Sequence, residues 1–494
     1  MRYIRLFSEV KTVCKLRRMI GRVFLVLALS VISVSAVTVQ SSPAAALSLK
    51  KVKQKVKSEF NDVFQSSRSR DRKSQRANET KRIDRPSLPD AAQNGRAVSS
   101  GLITVRPVVA GVSQKRHMML WGRHSPKFVR AGNNHYAVLL GDDQVPVIYG
   151  RADSPNATWR AVFRSKAQAH QPPTLLADGA GRLHLLYVTE PGVLRHGVFG
   201  AGAGGSVEYL GEPSTKRWGD GNHYMGAAYM RANGAIMVCA SNSNTRAFRC
   251  GTTEGGKWRW PRIIANGIGG RYLYPNIEPT GQTAVVASGL YRAGTPHAMR
   301  VLNNIFSVGS NGGLIRDGRA VTYGNESVGV TYFESDIAGD GEGNVGLLVS
   351  RTSHKIGAAV APKLYLLRSQ DKFARLHPVG DLSGSSYTLV SAPESYHVIG
   401  GGLHATSRDG GQTWETGTLE LPGFPQSRFH YGVAQALQDR SGSPTDKSSV
   451  SFLQELVEIN TKRDFVVEVS LAWPDSVDTG SVATPAKSRR SQLR

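Results

Sequence analysis

The sequence repeats itself, and the length of the repeat is what most limits the folds open to it. "HSPKFVRAGNNHYAVLLG" begins at His124 and returns as "HQPPTLLADGAGRLHLLY" at His170. Each copy holds an apolar segment, a Gly-bearing turn and a second apolar segment, the pattern of a β-hairpin. Looser copies open at His223, Tyr274, Glu334, Tyr387 and His430, so successive steps are 46, 53, 51, 60, 53 and 43 residues. A period of that size suits a four-stranded propeller blade. No long apolar helical pattern follows residue 64, which argues against a helical solenoid. The expectation is all-β: a seven-bladed β-propeller of four-stranded antiparallel blades, or six blades if one repeat is absorbed into closure. Neighbouring pairing is the rule for connected elements, so "LITVRPVVAG" near residue 102 is expected to close the ring against strands after Phe465.

The outer part of each repeat carries a second signal. "TWRAVF" at Thr158, "KWRWPRII" at Lys257 and "TWETGTLEL" at Thr413 each place Trp at the opening of an outer strand. The last follows "SRDGGQTW", where Asp409 can accept backbone N–H groups and Gly411 supplies a φ that other residues avoid. Ser407, Asp409, Gly411, Thr413 and Trp414 are therefore expected to form a structural corner between the third and fourth strands of one blade. The runs "DGAG" at Asp178 and "DGEGN" at Asp340 hold equivalent places in two repeats and read as hairpin turns rather than calcium loops.

"SRDGGQTW" matches the Asp box S-x-D-x-G-x-T-W at every defined position, and on this motif the chain resembles the sialidase-like, BNR-repeat (Asp-box) propeller superfamily over residues 115–475. The inner pattern "HQPPTLLADGAGRLHLLY" is similar to the branch that includes ulvan-lyase-type polysaccharide lyases. The resemblance implies a carbohydrate-active propeller; a shared fold by itself does not fix the chemistry.

Charge separates the propeller from its flanks. Residues 1–100 carry a formal +14 and the last eleven residues +4, which leaves +7 of the total of +25 for the body. A mildly basic body suits an acidic ligand, and nucleic acid is not expected. Arg17, Arg18 and Arg22 precede the uncharged run "VFLVLALSVISV", so residues 1–46 read as a signal peptide or membrane anchor. Residues 47–100 read as a basic linker. Leu49, Val52, Val56, Phe60 and Val63 there follow helical spacing, which reads as a short solvated helix before the domain, with an anionic membrane surface as the alternative for so basic an amphipathic pattern. The linker then turns polar and basic, as disordered chain does, and so do residues 476–494. The domain itself is assigned to 101–475. The chain is expected to be monomeric and exported: secreted, periplasmic or at the cell surface. Cys239 and Cys250 flank a strand–turn–strand, leaving a cross-strand disulfide and two core thiols both open.

Innermost strands all begin at one end of the axis, so residues that open the repeats are expected to converge there. His170, His223, Tyr224 and Tyr274 are the catalytic candidates. Arg271, Arg123, Arg428, His124, Asn276, Glu334, Asp336, His430 and Tyr431 are the substrate-binding candidates. His and Tyr can move protons near neutral pH, and Arg grips a carboxylate with a planar fork. That set fits β-elimination on a uronate polysaccharide. A sialidase-type hydrolase would use the arginines with Tyr274 or Tyr431, Glu334 and Asp336, and a non-catalytic glycan-binding or adhesion propeller would need no acid–base pair. No cofactor is required by the sequence. A calcium or zinc ion stays open, although no spacing such as HExxH or CxxC is present.

Overall fold

The computed structural model describes residues 97–472 apart from internal stretches, chiefly 114–119, 121–124, 213–215, 218–222, 243–246, 293–299, 322–329, 354–362 and 438–448. The expected export signal, most of the linker and the C-terminal tail lie outside the described residues.

Seven antiparallel sheets follow one another along the chain. Blade 1 is Phe128–Ala131, Asn134–Leu140, Pro146–Ala152 and Arg160–Arg164. Blade 2 begins with Thr174–Ala177 and Arg182–Thr189, blade 3 with His223–Met230 and Ala235–Asn242, and blade 4 with Gly270–Thr280 and Thr283–Arg292. Blade 5 begins with Val330–Gly339 and Val345–Ser353. Blade 6 is Tyr387–Ala392, Ser395–Gly400, Leu403–Ser407 and Glu415–Thr418. Blade 7 runs Phe429–Ala436, Ser449–Glu458 and Arg463–Ala472, and its fourth strand is Ile103–Ser113 from the start of the domain. The expected closure is thus formed, with Val105 opposite Val469, and the six-bladed alternative falls. Val98–Ser100 adds a further edge strand to Ile103–Ser113. Among the described residues the only helix is the 3-10 turn Ala203–Gly205.

Burial explains why the middle strands do not alternate as half-buried strands do. A propeller blade is covered on both faces by its neighbours, so Asn134–Leu140 is buried along most of its length while Glu415–Thr418, at the rim, is exposed throughout. The apolar core is accordingly divided among the blade interfaces. Seven clusters occur among the described residues, and each joins two consecutive blades. Leu175 and Leu185 meet Val129 and Tyr136 between blades 2 and 1, and Phe128 meets Leu453 and Val466 between blades 1 and 7. Burial of this kind stabilises by roughly 25 cal/mol per Å² of apolar surface.

The closing interface has a polar lock as well. Glu468 of blade 7 is fully buried and accepts from Arg151 Nε at 2.7 Å and Nη2 at 2.5 Å. Trp159 Nε1 donates to the same carboxylate at 3.0 Å, and His135 Nδ1 lies 3.0 Å from it. These partners outweigh the burial penalty and hold the Glu468 carboxyl down at about 2.

Cys239 and Cys250 face each other across the second and third strands of blade 3 and are bonded, which settles the alternative that the sequence left open. The Ser407–Trp414 corner lies between the third and fourth strands of blade 6. Asp409 accepts from the backbone N–H groups of Gln412 and Thr413 at 3.0 and 2.9 Å and from Thr413 Oγ1 at 2.6 Å. Gly411 has φ +88°, and a Cβ there would stand 2.5 Å from Leu366 Cδ2, so the corner needs glycine twice over. Asp178 and Asp340 likewise accept the N–H groups of Arg182 and Asn344 inside tight hairpins.

Candidate functional site

Each blade begins with its innermost strand, whose inner edge has no ladder partner. Counting four residues back from the closing backbone pair of each inner hairpin gives an equivalent rung: Lys127, Thr174, Gly226, Asn276, Asp336 and Thr388 in blades 1 to 6. The seventh member is Gln435, because the N–H of Ala436 bonds to Thr388 Oγ1 as that of Leu389 bonds to Asp336 Oδ2. All seven are buried, and every one except Gly226 is polar. This rung is a girdle around the axis. Asp336 and Thr388 accept from the inner-edge N–H groups of Leu389 and Ala436 in the following blades, and that of Leu175 is taken by the Pro126 carbonyl.

Blade 1 draws the girdle tight. Ser125, two residues before Lys127, accepts at its carbonyl from Lys127 Nζ at 3.0 Å and from Gln435 Nε2 of blade 7 at 2.8 Å. Its hydroxyl donates to the carbonyl of Met225 in blade 3 at 2.9 Å, reaching past blade 2. The axis is therefore narrow at this level. Burial pushes the Lys127 amine down to about 7.

Immediately before the rung, three inner strands lose their regular register: between Leu273 and Asn276 in blade 4, Glu334 and Asp336 in blade 5, and Tyr431 and Ala434 in blade 7. Bulges of this kind re-aim side chains and gather beside functional sites. The blade 4 bulge contains Tyr274 at φ +50°, a left-handed conformation unfavourable for a bulky residue. Tyr274 is half-buried, and its carbonyl accepts from Asn276 Nδ2 at 3.2 Å. In blade 2 the half-buried His170 is anchored by its N–H to the carbonyl of Val188 at 2.7 Å. Gln171, Pro172 and Pro173 link it to the inner strand, and the two prolines stiffen the approach.

The remaining sequence candidates separate into groups. Arg123 and His124 lie outside the described residues, as do the side chains of His223, Tyr224, Arg271 and Glu334, whose backbones lie on inner strands of blades 3, 4 and 5. Asp336 is buried in the girdle, accepting from Thr388 Oγ1 at 2.7 Å and from the N–H groups of Leu389 and Ile337 at 2.9 Å. Arg428 bridges to Glu458 at 2.7 Å and lies over Phe429. Tyr431 donates to the carbonyl of Phe424 at 2.6 Å and accepts from the N–H of Leu421 at 3.0 Å; burial pushes its phenol up to about 12. His430 is exposed. These residues do not share one rung. His170 precedes Thr174 by four residues, whereas Tyr274 precedes Asn276 by two.

The sequence reading missed Lys127, Thr174, Gln171 and Gln435 because none of them opens a repeat. The usable signal was their distance from the hairpin turn, not their type. It also missed a buried relay running from the inner hairpin of blade 2 to its third strand. Asp178 Oδ2 lies 3.1 Å from His184 Nε2, and His184 Nδ1 lies 2.9 Å from His196 Nε2. Burial, helped by the neighbouring His184, lowers His196 to about 3. The described residues contain no cluster of His, Cys, Asp and Glu fit to hold a metal ion. No helix among them is long and apolar enough to cross a membrane.

No family model matches the chain, and no curated protein matches it. Solved structures do. A polysaccharide lyase, an ulvan lyase bound to -[GlcA(1-4)Rha3S]-, superposes with a TM-score of 0.52 at 13% identity, covering 73% of this chain and 93% of that one. The likeness is one of fold. An α-L-arabinanase of Penicillium chrysogenum follows at a TM-score of 0.39 and 9% identity, over 70% of this chain and 92% of its own.

Proposed function

We propose that the chain is an exported carbohydrate-active propeller that binds an acidic polysaccharide at the end of the axis where the inner strands begin, and cleaves it by β-elimination. The observation that carries this reading is the bulged, left-handed Tyr274 beside the buried Asn276, on the same inner strand as Arg271. Strain of that kind persists where the surroundings enforce it, and it is concentrated at ligand sites. Support for the substrate class comes from the fold shared with an ulvan lyase bound to a glucuronate-containing saccharide. The hydrogen-bonded Ser407–Trp414 corner supports placing the chain among the Asp-box propellers, with Asp409 and Trp414 holding the blade rather than touching substrate. The Cys239–Cys250 bond supports export to an oxidising compartment.

In this mechanism Arg271 holds the uronate carboxylate, which acidifies the proton on the adjacent carbon. One of His170, His223, Tyr224 and Tyr274 takes that proton. The electron pair forms a carbon–carbon double bond, the glycosidic carbon–oxygen bond breaks, and the departing oxygen is protonated by a second member of the set. A sialidase-type reading built on Tyr431 fares worse, since its hydroxyl is committed at both lone pair and proton and Arg428 is paired with Glu458.

The test is a screen of the full chain on acidic polysaccharides, following the ultraviolet absorbance of the unsaturated product, beside a fluorogenic sialoside. Alanine at the true base should lower turnover about a hundredfold or more, and Arg271→Ala should chiefly raise KM. Binding without cleavage would leave a glycan-binding propeller, and release of the sialoside's fluorophore would restore the hydrolase.

A further inference from the structure

We propose that the girdle is notched at Gly226, and that this notch is a subsite for a neutral hydroxyl of the bound saccharide. The inference rests on the acidic-glycan reading above and adds to it which part of the sugar faces the axis. Gly226 is the one rung position without a side chain. Its two neighbours around the ring, Thr174 of blade 2 and Asn276 of blade 4, each bury a side-chain oxygen, Oγ1 and Oδ1, that has no hydrogen-bond partner. Thr174 is 0% exposed and Asn276 2%. Gln171 Oε1, three residues nearer the start of the blade 2 strand, is buried without a partner too. A buried polar atom left unsatisfied costs about 1–3 kcal/mol, so the two that flank Gly226, with a third on the segment leading to Thr174, call for a ligand.

The chemistry of that ligand follows from the atoms. Asn276 Nδ2 is committed to the carbonyl of Tyr274, which turns the amide oxygen away as a pure acceptor. Amide oxygens from Asn276 and Gln171 repel a carboxylate or sulfate and need a donor. A sugar hydroxyl reaching past Tyr274 supplies one, and the Thr174 hydroxyl can then act as acceptor or donor to the same group. The acidic substituent must consequently face away from the notch, with an unsubstituted hydroxyl pointing down the axis. Sites that hydrogen-bond a hydroxyl reject analogues lacking it far more strongly than apolar pockets reject a missing methylene.

The test uses the full chain and four probes: ulvan, alginate, polygalacturonate and hyaluronan, with Kd by calorimetry and melting temperature measured in parallel. Thr174→Val removes one oxygen and keeps the shape. It should weaken binding of the recognised probe by about five- to tenfold, the loss of roughly one hydrogen bond, while the melting temperature holds or rises. Gly226→Ala fills the notch and should weaken the same probe by at least as much; Asn276→Leu provides a second acceptor deletion should Gly226→Ala fail to fold. Unchanged Kd in Thr174→Val and Asn276→Leu, with wild-type binding intact, would overturn the notch and leave it as a water site. Failure of the wild-type chain to bind all four probes would instead overturn the acidic-glycan reading, and the notch with it.

Discussion

Glu468→Gln should open the ring where it closes. The carboxylate is buried among Arg151, His135 and Trp159; the His135 and Trp159 contacts are 3.0 Å, and the two of the Arg151 fork are shorter. Two independent magnitudes agree. Glu468 sits at about 2 against an ordinary 4.5; at 1.36 kcal/mol for each tenfold, the ionised group contributes about 3 kcal/mol at neutral pH. Removing one partner of a buried ion pair typically costs about 3–5 kcal/mol, because the other charge is left stranded. With an unfolding entropy of about 2.1 cal/mol/K per residue over roughly 370 residues, the loss lowers the melting temperature by about 4–6 °C. The sign with pH follows from a depressed folded-state value. The stabilisation is complete above about 4.5 and is lost as pH falls through about 2, so the wild-type advantage should shrink to less than half at pH 3. Denaturant unfolding of both proteins at pH 7 and pH 3 measures it. Adding Arg151→Met to Glu468→Leu should recover part of the loss, as apolar replacements of buried pairs do. A difference under about 1 kcal/mol at pH 7, or one that persists undiminished at pH 3, would refute the lock.

Asp409→Ala should destabilise the fold by about 1 kcal/mol or more through the lost turn hydrogen bonds, with turnover on any substrate unchanged; a sharp fall in turnover at constant stability would move the corner into the site. Cys239→Ser with Cys250→Ser should cost about 3 kcal/mol, the chain-entropy value for a loop of this length, read as a drop in denaturant midpoint that reduction of the wild type reproduces. The His196 ring, held neutral by burial beside His184, should show no NMR titration between about pH 8 and 4, and a midpoint near 6.5 would show the relay to be solvated.

The period of the repeat, about fifty residues with a turn-bearing apolar hairpin at each start, determined the blade, while the choice of seven blades over six rested on the closing pair seen in the structure. Such a pattern is legible because every hairpin is a local event and each blade must bury both faces against copies of itself. The Ser407–Trp414 corner was legible for the same reason: its hydrogen bonds span four residues. The rung was not. Approach segments of different length and bulges at Leu273–Asn276, Glu334–Asp336 and Tyr431–Ala434 shift the register between blades, so the residues that open the repeats in sequence do not stand level in space. Tyr431 and Arg428 illustrate the consequence, since the residue types suited a site while their partners, Phe424, Leu421 and Glu458, are supplied by packing. The Cys239–Cys250 pairing needed the register of two strands, and the Glu468–Arg151 contact spans 317 residues. Contacts of that separation exist only once the ring has closed, which is why tertiary structure alone could decide them.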